Sequence, residues 1–155
     1  MGSLWANMLP VADLRSFFSG SWQVERSLHD RRRAVSGRFR GRARFTAVGD
    51  SLFYEELGML DFGARIGPAE QHYRYDFDGG TGRASVRFRD GRAFHDLDLS
   101  HGQTLVTHAC EPDFYRGEFI ALDAIHWRAS WEVTGPRKDQ QISTVYIRQA
   151  PGRVR

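Results

Sequence analysis

Short segments in which apolar and polar residues alternate make up almost the whole chain, and this pattern restricts the fold more than any other feature. About ten such segments follow one another, separated by short turns rich in glycine, aspartate and proline. A period of two is typical of strands that bury one face. Because no helical pattern lies between the segments, a parallel sheet, which needs helical crossovers, is excluded. The sequence therefore predicts an antiparallel all-β fold, as a sandwich or a barrel.

Two features favour the barrel. Consecutive hairpins are indicated, most clearly across Asp90-Gly91. The second strand, residues 36–46, carries Gly41 at its middle, where a barrel needs a sharp bend. Since closure leaves no exposed sheet edge, we predict a single closed antiparallel up-and-down barrel of about ten strands.

A short helix is predicted before the first strand, capping one end of the barrel. Gly20 is placed to end it, and one helical stripe collects four apolar residues, namely Val11, Leu14, Phe17 and Phe18. We place the helix at residues 9–19 and the barrel at 21–148. A chain of 155 residues, 41% of them hydrophobic, is expected to form one domain over residues 1–155.

The cysteine content and the hydropathy pattern suggest where the protein resides. Cys110 is the single cysteine, so an internal disulfide is ruled out and a reducing compartment, the cytoplasm, is expected. Residues 1–10 lack the basic start and apolar stretch of a secretory signal. Nowhere do about 18 apolar residues run together, so no membrane partner is expected.

Arginine supplies nearly all of the positive charge, with a formal net charge of +3 and Lys138 as the only lysine. Residues 31–44 hold seven arginines, interleaved with Phe39 and Phe45, which is one pattern of a nucleic-acid surface. Alternation sends the phenylalanines to the face opposite the arginines, however, so a solvated outer face is the better interpretation. Nucleic acid is therefore not expected as a partner, although docking of a protein or RNA on this strand stays an alternative function.

The helix, Gly20-Ser21-Trp22 at the start of the first strand and Arg148 on the last strand resemble the signature of the lipocalins and other calycins. In those barrels the tryptophan closes one end and an arginine from the final strand packs over it. The resemblance implies that Gly20, Trp22 and Arg148 close this barrel, with the guanidinium bound to carbonyls of the helix or a loop.

The chain also resembles an uncharacterised family of small bacterial proteins, a domain of unknown function. The matching motifs are Phe18-x-Gly20-x-Trp22, Gly135-Pro136-Arg137-Lys138-Asp139 and Tyr146-x-Arg148. That family has no settled activity, so the resemblance supports the fold and assigns no chemistry.

The barrel interior is the expected site for a small apolar or amphipathic molecule. Aromatic side chains on inward strand positions would line it, namely Tyr73, Tyr75, Trp127, Trp131 and Tyr146. Polar groups would fix the ligand's orientation, namely His95, His108, Tyr115 and Arg74. Strict alternation puts Arg74 on the face opposite Tyr73 and Tyr75, so it reaches the interior only if a bulge turns it inward.

The histidines raise alternative chemistries. His95 shares its predicted inward face with Ala93 and could be an axial haem ligand, as in small haem-binding calycin barrels. Alternatively, His95 or His108 could be the general base of an enzyme on the same barrel. A core crowded with aromatic residues leaves little room for haem, so no cofactor is expected. His108 and Cys110 lie two apart, but no third metal ligand has suitable spacing, so no metal is expected. No motif specifies a catalytic residue.

One surface feature bears on assembly. Val145 and Ile147 are apolar residues on the outward positions of the last strand. They permit a homodimer without requiring one.

Overall fold

The computed structural model describes residues 8–78 and 82–150, which form one short helix and ten strands. The elements are α1 Leu14–Phe18, β1 Gly20–Asp30, β2 Val35–Val48, β3 Ser51–Phe62, β4 Arg65–Phe77, β5 Arg83–Phe88, β6 Ala93–Asp98, β7 Gln103–Cys110, β8 Asp113–Asp123, β9 His126–Thr134 and β10 Asp139–Arg148. The prediction of about ten strands is confirmed. The ends of the predicted domain, residues 1–7 and 151–155, lie outside the described residues.

The sheet wraps round until its first and last strands meet. Its hydrogen-bonded order is β6-β5-β4-β3-β2-β1-β10-β9-β8-β7, and the ladders are antiparallel. β1 pairs with β10 from Trp22 opposite Arg148 to Asp30 opposite Gln140. The two ends of this order, β6 and β7, follow one another in the chain, so the seam lies at a single turn. The predicted up-and-down barrel is confirmed, nearly closed rather than hydrogen-bonded all the way round.

A pair of glycines lets two strands approach closely. Gly41 on β2 stands directly opposite Gly58 on β3. A Cβ on Gly41 would lie 2.2 Å from the Leu57 carbonyl oxygen, and one on Gly58 would lie 2.6 Å from the Phe39 ring. Neither position has room for a side chain. Gly41 and Gly58 together therefore allow β2 and β3 to approach each other closely.

The helix is shorter than predicted, Leu14–Phe18 instead of 9–19. Asp13 caps it, and residues 8–13 form an irregular segment. There the Val11 N–H donates to the Leu99 carbonyl at 2.9 Å, a hydrogen bond to the end of the sheet that replaces a helical one. Helix and segment together cover this end of the barrel. No helix in the described part of the chain is long and apolar enough to cross a membrane.

Trp22 and Arg148 lie beneath this cover. Trp22 is fully buried, and its indole N–H donates to the Phe18 carbonyl at 2.8 Å. The Arg148 guanidinium carbon lies 4.3 Å from the centroid of the indole. Its donors bind three backbone carbonyls, those of Phe17, Ser19 and Ala124. Gly20 has a φ of +106°, a conformation that favours glycine. These contacts seal one end with each guanidinium nitrogen hydrogen-bonded.

Candidate functional site

The half of the barrel away from α1 contains a cavity of about 160 Å³. Its walls are mainly aromatic and include Tyr54, Tyr73, Tyr75, Phe94, Trp131 and Tyr146. Tyr75 and Tyr146 are buried, whereas Gln71 is exposed and Tyr115 is half-exposed. The cavity therefore deepens toward the barrel centre and opens to solvent at the end opposite the helix.

A buried ion pair stands beside the cavity. The Arg26 Nη1 and Nη2 atoms each lie 2.7 Å from an oxygen of the Glu56 carboxylate, and the two side chains are 11% and 1% exposed. The Arg26 Nε donates to the Thr144 hydroxyl at 2.8 Å. Burial works against the charge on Arg26, but the hydrogen bonds to Glu56 outweigh it and raise the pKa of the guanidinium. The two charges are held together and cancel each other.

Tyrosine hydroxyls continue this network toward the cavity. The Tyr54 hydroxyl donates to the Glu56 carboxylate, and its oxygen lies 3.2 Å from the Tyr146 hydroxyl oxygen. Burial raises the pKa of Tyr54, Tyr75 and Tyr146 above the ordinary tyrosine value. All three hydroxyls are therefore protonated at neutral pH and are able to donate a hydrogen bond.

The Tyr75 hydroxyl has no hydrogen-bond partner in the part of the chain that the structure describes. Its side chain is only 4% exposed, yet it makes no hydrogen bond within residues 8–78 and 82–150. Among those residues, the fully enclosed side-chain atoms that lack a partner are Arg15 Nε and Trp127 Nε1. The Tyr75 oxygen is not one of them, and Tyr75 lines the cavity, so its hydroxyl is accessible from the cavity.

His95 offers the cavity a hydrogen-bond acceptor. Its Nδ1 lies 3.0 Å from the Asp96 carbonyl oxygen, and since a carbonyl only accepts, Nδ1 carries the proton and Nε2 the lone pair. Burial lowers the pKa of His95 from 6.5 to about 4, so the ring is neutral at neutral pH. Nε2 has no hydrogen-bond partner in the described part of the chain.

A β-bulge turns Phe94 inward beside His95. The register between β5 and β6 shifts so that Phe94 is an extra residue, and Phe94 and His95 both face the cavity. Ala93, predicted to share the inward face with His95, is exposed instead. Simple alternation is therefore wrong between Ala93 and His95, because the bulge adds Phe94.

Acid is expected to destabilise the protein through His95. Its pKa is about 4 in the folded state against 6.5 for the free side chain. Above pH 6.5 the ring is neutral in both states; as the pH falls toward 4 the unfolded chain takes up the proton first, so stability falls by on the order of 3 kcal/mol. Urea unfolding of the wild type and of His95→Phe between pH 7 and 4 measures this. Parallel pH profiles for the two proteins would contradict it.

Six of the residues predicted to contact a ligand line this one cavity: Tyr73, Tyr75, His95, Tyr115, Trp131 and Tyr146. His108 lies at its rim, half-buried, with its ring centroid 5.1 Å from that of Phe94. Trp127 fills the closed half of the barrel instead, stacked on Tyr146 with the centroids 3.6 Å apart. That any of these side chains contacts a ligand stays a prediction.

Arg74 does not reach the cavity. It lies on the outer face of β4, where its Nε and Nη2 donate to Asp76 at 3.2 and 3.1 Å. Arg87 stands opposite it on β5, in a ladder that is regular at this point. No bulge turns Arg74 inward, so alternation holds and its placement among the cavity residues is wrong.

The ion pair beside the cavity was missed in the sequence, although a signal for it exists. Arg26 falls on the inward positions of β1 between Val24 and Leu28, and Glu56 follows the inward Leu52 and Tyr54 on β3. β1 and β3 both lie next to β2, so opposite charges on their inward positions predict a buried ion pair.

The remaining candidates form no second site. Arg38, Arg40, Arg42 and Arg44 are exposed on the outer face of β2, and Phe39 and Phe45 are buried on its inner face. Cys110 is exposed and unpaired. Within residues 8–78 and 82–150, no group of three or more His, Cys, Asp or Glu side chains is arranged to hold a metal ion.

Comparisons with known proteins agree with this architecture. A family model described as "Family of unknown function (DUF6314)" matches residues 18–148. The S-type phycobiliprotein lyase CPES from Guillardia theta has a similar structure, with a TM-score of 0.67 and 9% identity over 89% of this chain and 92% of that one. Rv2717c from M. tuberculosis gives a TM-score of 0.52 and 13% identity over 87% and 94%. No curated protein sequence matches significantly. At such identities the likeness shows the fold alone.

Proposed function

The chain belongs to the DUF6314 family, whose function is unknown, and for this protein we propose the binding of a small, partly apolar molecule inside the barrel. One observation carries the proposal. A cavity of about 160 Å³ with aromatic walls is faced by two polar groups, the Tyr75 hydroxyl and His95 Nε2, that have no partner among the described residues. Apolar walls with a few convergent polar groups are the usual form of a ligand site.

Burial makes this observation informative. A buried polar group without a hydrogen bond costs roughly 1–3 kcal/mol, so the Tyr75 hydroxyl and His95 Nε2 each need a partner in the cavity, either water or a ligand. A ligand with a hydrogen-bond acceptor would bind the Tyr75 hydroxyl, and one with a donor would bind His95 Nε2.

An enzyme on the same barrel is the second candidate. The structurally similar CPES is named a phycobiliprotein lyase, which supports the idea that this fold can carry catalysis. His95 is the residue available as a general base, because Nε2 faces the cavity and holds the lone pair. Its pKa of about 4 makes it a weak base at neutral pH, so binding is the stronger proposal.

Docking of a protein or RNA on β2 has less support. Arg40 stands directly across from Glu25 on β1, and Arg44 from Glu55 on β3. These carboxylates reduce the positive potential along the arginine-rich strand β2.

The cytoplasm remains the proposed location of the protein, because the chain has a single cysteine. The homodimer through Val145 and Ile147 stays a prediction.

Filling the cavity is expected to abolish binding. Ala129 is buried and lines the cavity, so the larger side chain of Ala129→Leu occupies the space where a ligand would lie. We expect affinity to fall at least about tenfold for whatever the wild type binds. Native mass spectrometry of the protein as isolated, followed by calorimetry with one-ring fragments, measures it.

The matched control is Ala109→Leu, which makes the same change at an exposed position of β7. It should leave binding unchanged. If no molecule is retained and no fragment binds the wild type, or if Ala129→Leu binds as tightly as the wild type, the proposal fails.

A further inference from the structure

The size of the cavity limits its occupant. About 160 Å³ is close to the roughly 150 Å³ of an engineered apolar cavity that holds benzene, and below the roughly 300 Å³ at which pockets for drug-sized ligands begin. One six-membered ring with one or two small substituents fits this space. A molecule of several fused or linked rings does not.

The shape of the walls favours a flat molecule. Phe94 and Trp131 lie nearly parallel, with centroids 5.3 Å apart and planes inclined by 12°. Phe88 and Tyr73 are also stacked on Phe94, with centroids 4.5 and 5.6 Å away, so these side chains form one stack with no gap for a further ring inside it. Aromatic rings gain most from offset stacking or edge-to-face contact with another ring. A planar ring that lies beside this stack makes such contacts with its edge, so an aromatic ligand complements the lining.

The charge of the site excludes ions. Arg26 is the one guanidinium that lines the cavity, and both of its Nη atoms and its Nε are already bound, to Glu56 and Thr144. Tyr54, Tyr75 and Tyr146 are protonated and His95 is neutral, so none of these groups adds an uncompensated charge to the lining. A carboxylate or ammonium group entering the cavity would lose its hydration without meeting a counter-ion.

The free polar groups set the ligand's hydrogen bonds. His95 Nε2 accepts, so the ligand needs an O–H or N–H donor. Tyr75 donates, so the ligand needs an acceptor near that donor. The two residues lie near each other on the barrel wall, since Tyr75 pairs with Val86 on β5 and Val86 with His95 on β6. Their backbones are two strand spacings apart, roughly 10 Å. A single hydroxyl placed between their side chains would bind both, as donor to one and acceptor from the other.

We infer that the molecule bound in the cavity is an uncharged single-ring aromatic compound with an O–H or N–H donor, in the simplest case a phenol. The ring packs beside the stack of Phe94 and Trp131, and its hydroxyl donates to His95 Nε2 and accepts from the Tyr75 hydroxyl. The inference rests on the proposed function, because it names the class of ligand for the same cavity.

Calorimetry of the full-length protein with three probes tests this assignment. Phenol has the ring and the hydroxyl, toluene has the same shape without a polar group, and benzoate has a ring with a charge. We expect phenol to bind, and benzoate to bind at least tenfold more weakly. Tyr75→Phe and His95→Phe should each weaken phenol binding roughly three- to tenfold and leave toluene binding unchanged.

Each outcome decides a separate point. Benzoate binding as tightly as phenol would overturn the charge argument, and equal losses for phenol and toluene in the two variants would overturn the hydrogen-bond argument. Binding of none of the three probes overturns the assignment as a whole. The proposed function survives that result if the native protein retains another molecule that Ala129→Leu does not. A thermal melt of each variant checks that it is folded.

Discussion

Glu56→Gln is expected to lower the free energy of unfolding by about 3–5 kcal/mol. Glu56 is 1% exposed and holds both Nη atoms of Arg26 at 2.7 Å. Glutamine preserves the shape and one hydrogen bond from the arginine, but the guanidinium is then a buried charge without a counter-ion. The Tyr54 hydroxyl, which donates to the same carboxylate, also loses its strongest acceptor. Urea unfolding at pH 7 measures the loss.

The neighbouring residue supplies the control. Glu55 is 56% exposed on the outer face of β3, and its carboxylate lies 3.9 Å from Nδ1 of His72. Glu55→Gln should change stability by less than about 0.5 kcal/mol. A double variant, Arg26→Met with Glu56→Leu, should be more stable than Glu56→Gln, because it removes both charges together. A similar small effect for Glu55→Gln and Glu56→Gln would show that the ion pair contributes little to stability.

Trp22→Ala is expected to cost about 3–5 kcal/mol, the usual range for removing a buried aromatic side chain. The indole is fully buried, donates to the Phe18 carbonyl, and supports the guanidinium of Arg148. Its loss leaves a void under α1 and an unsatisfied carbonyl, and removes the surface on which the arginine stacks. Thermal unfolding with calorimetry measures the effect.

Gln23→Ala is the matched change on the same strand, since Gln23 is the next residue and is exposed. It should shift the unfolding free energy by no more than about 0.5 kcal/mol. If Trp22→Ala and Gln23→Ala had the same effect, the end of the barrel beneath the helix would not depend on the indole. Arg148→Met should fall between the two, because it keeps the packing of the stem and loses the carbonyl bonds.

The barrel was predictable because its pattern is local. Alternation and turns identify strands, and the placement of Trp22 and Arg148 followed from a resemblance at the two ends of the chain. Alternation shows which residues face the barrel interior and which face solvent. It does not show how far along the barrel axis each residue lies. Trp127 and Trp131 are both inward on β9, yet four residues of strand are roughly 13 Å, so one packs the closed half and the other lines the cavity.

The chemistry of the cavity was harder to predict. A charged residue at an inward position looks like an interruption of the hydrophobic pattern unless its partner on another strand is identified at the same time. Arg26 and Glu56 are such a pair. No distinctive residue in the sequence predicts the bulge at Phe94. The volume of the cavity depends on how the side chains of many strands fill the interior, which a pattern of two residue classes does not encode.

The ladder between β1 and β10 is expected to form more slowly than the other ladders of the barrel. Among the described residues, the other ladders join strands that are consecutive in the chain, as hairpins do. This one aligns residue 22 with residue 148, so the loop that must close spans most of the polypeptide. Loop-closure entropy opposes such contacts, and folding slows as contact order rises. Pairing the two distant strands is therefore the entropically most demanding step in forming the barrel. Once the strands are paired, the stacking of the Arg148 guanidinium on the Trp22 indole stabilises the closed ladder.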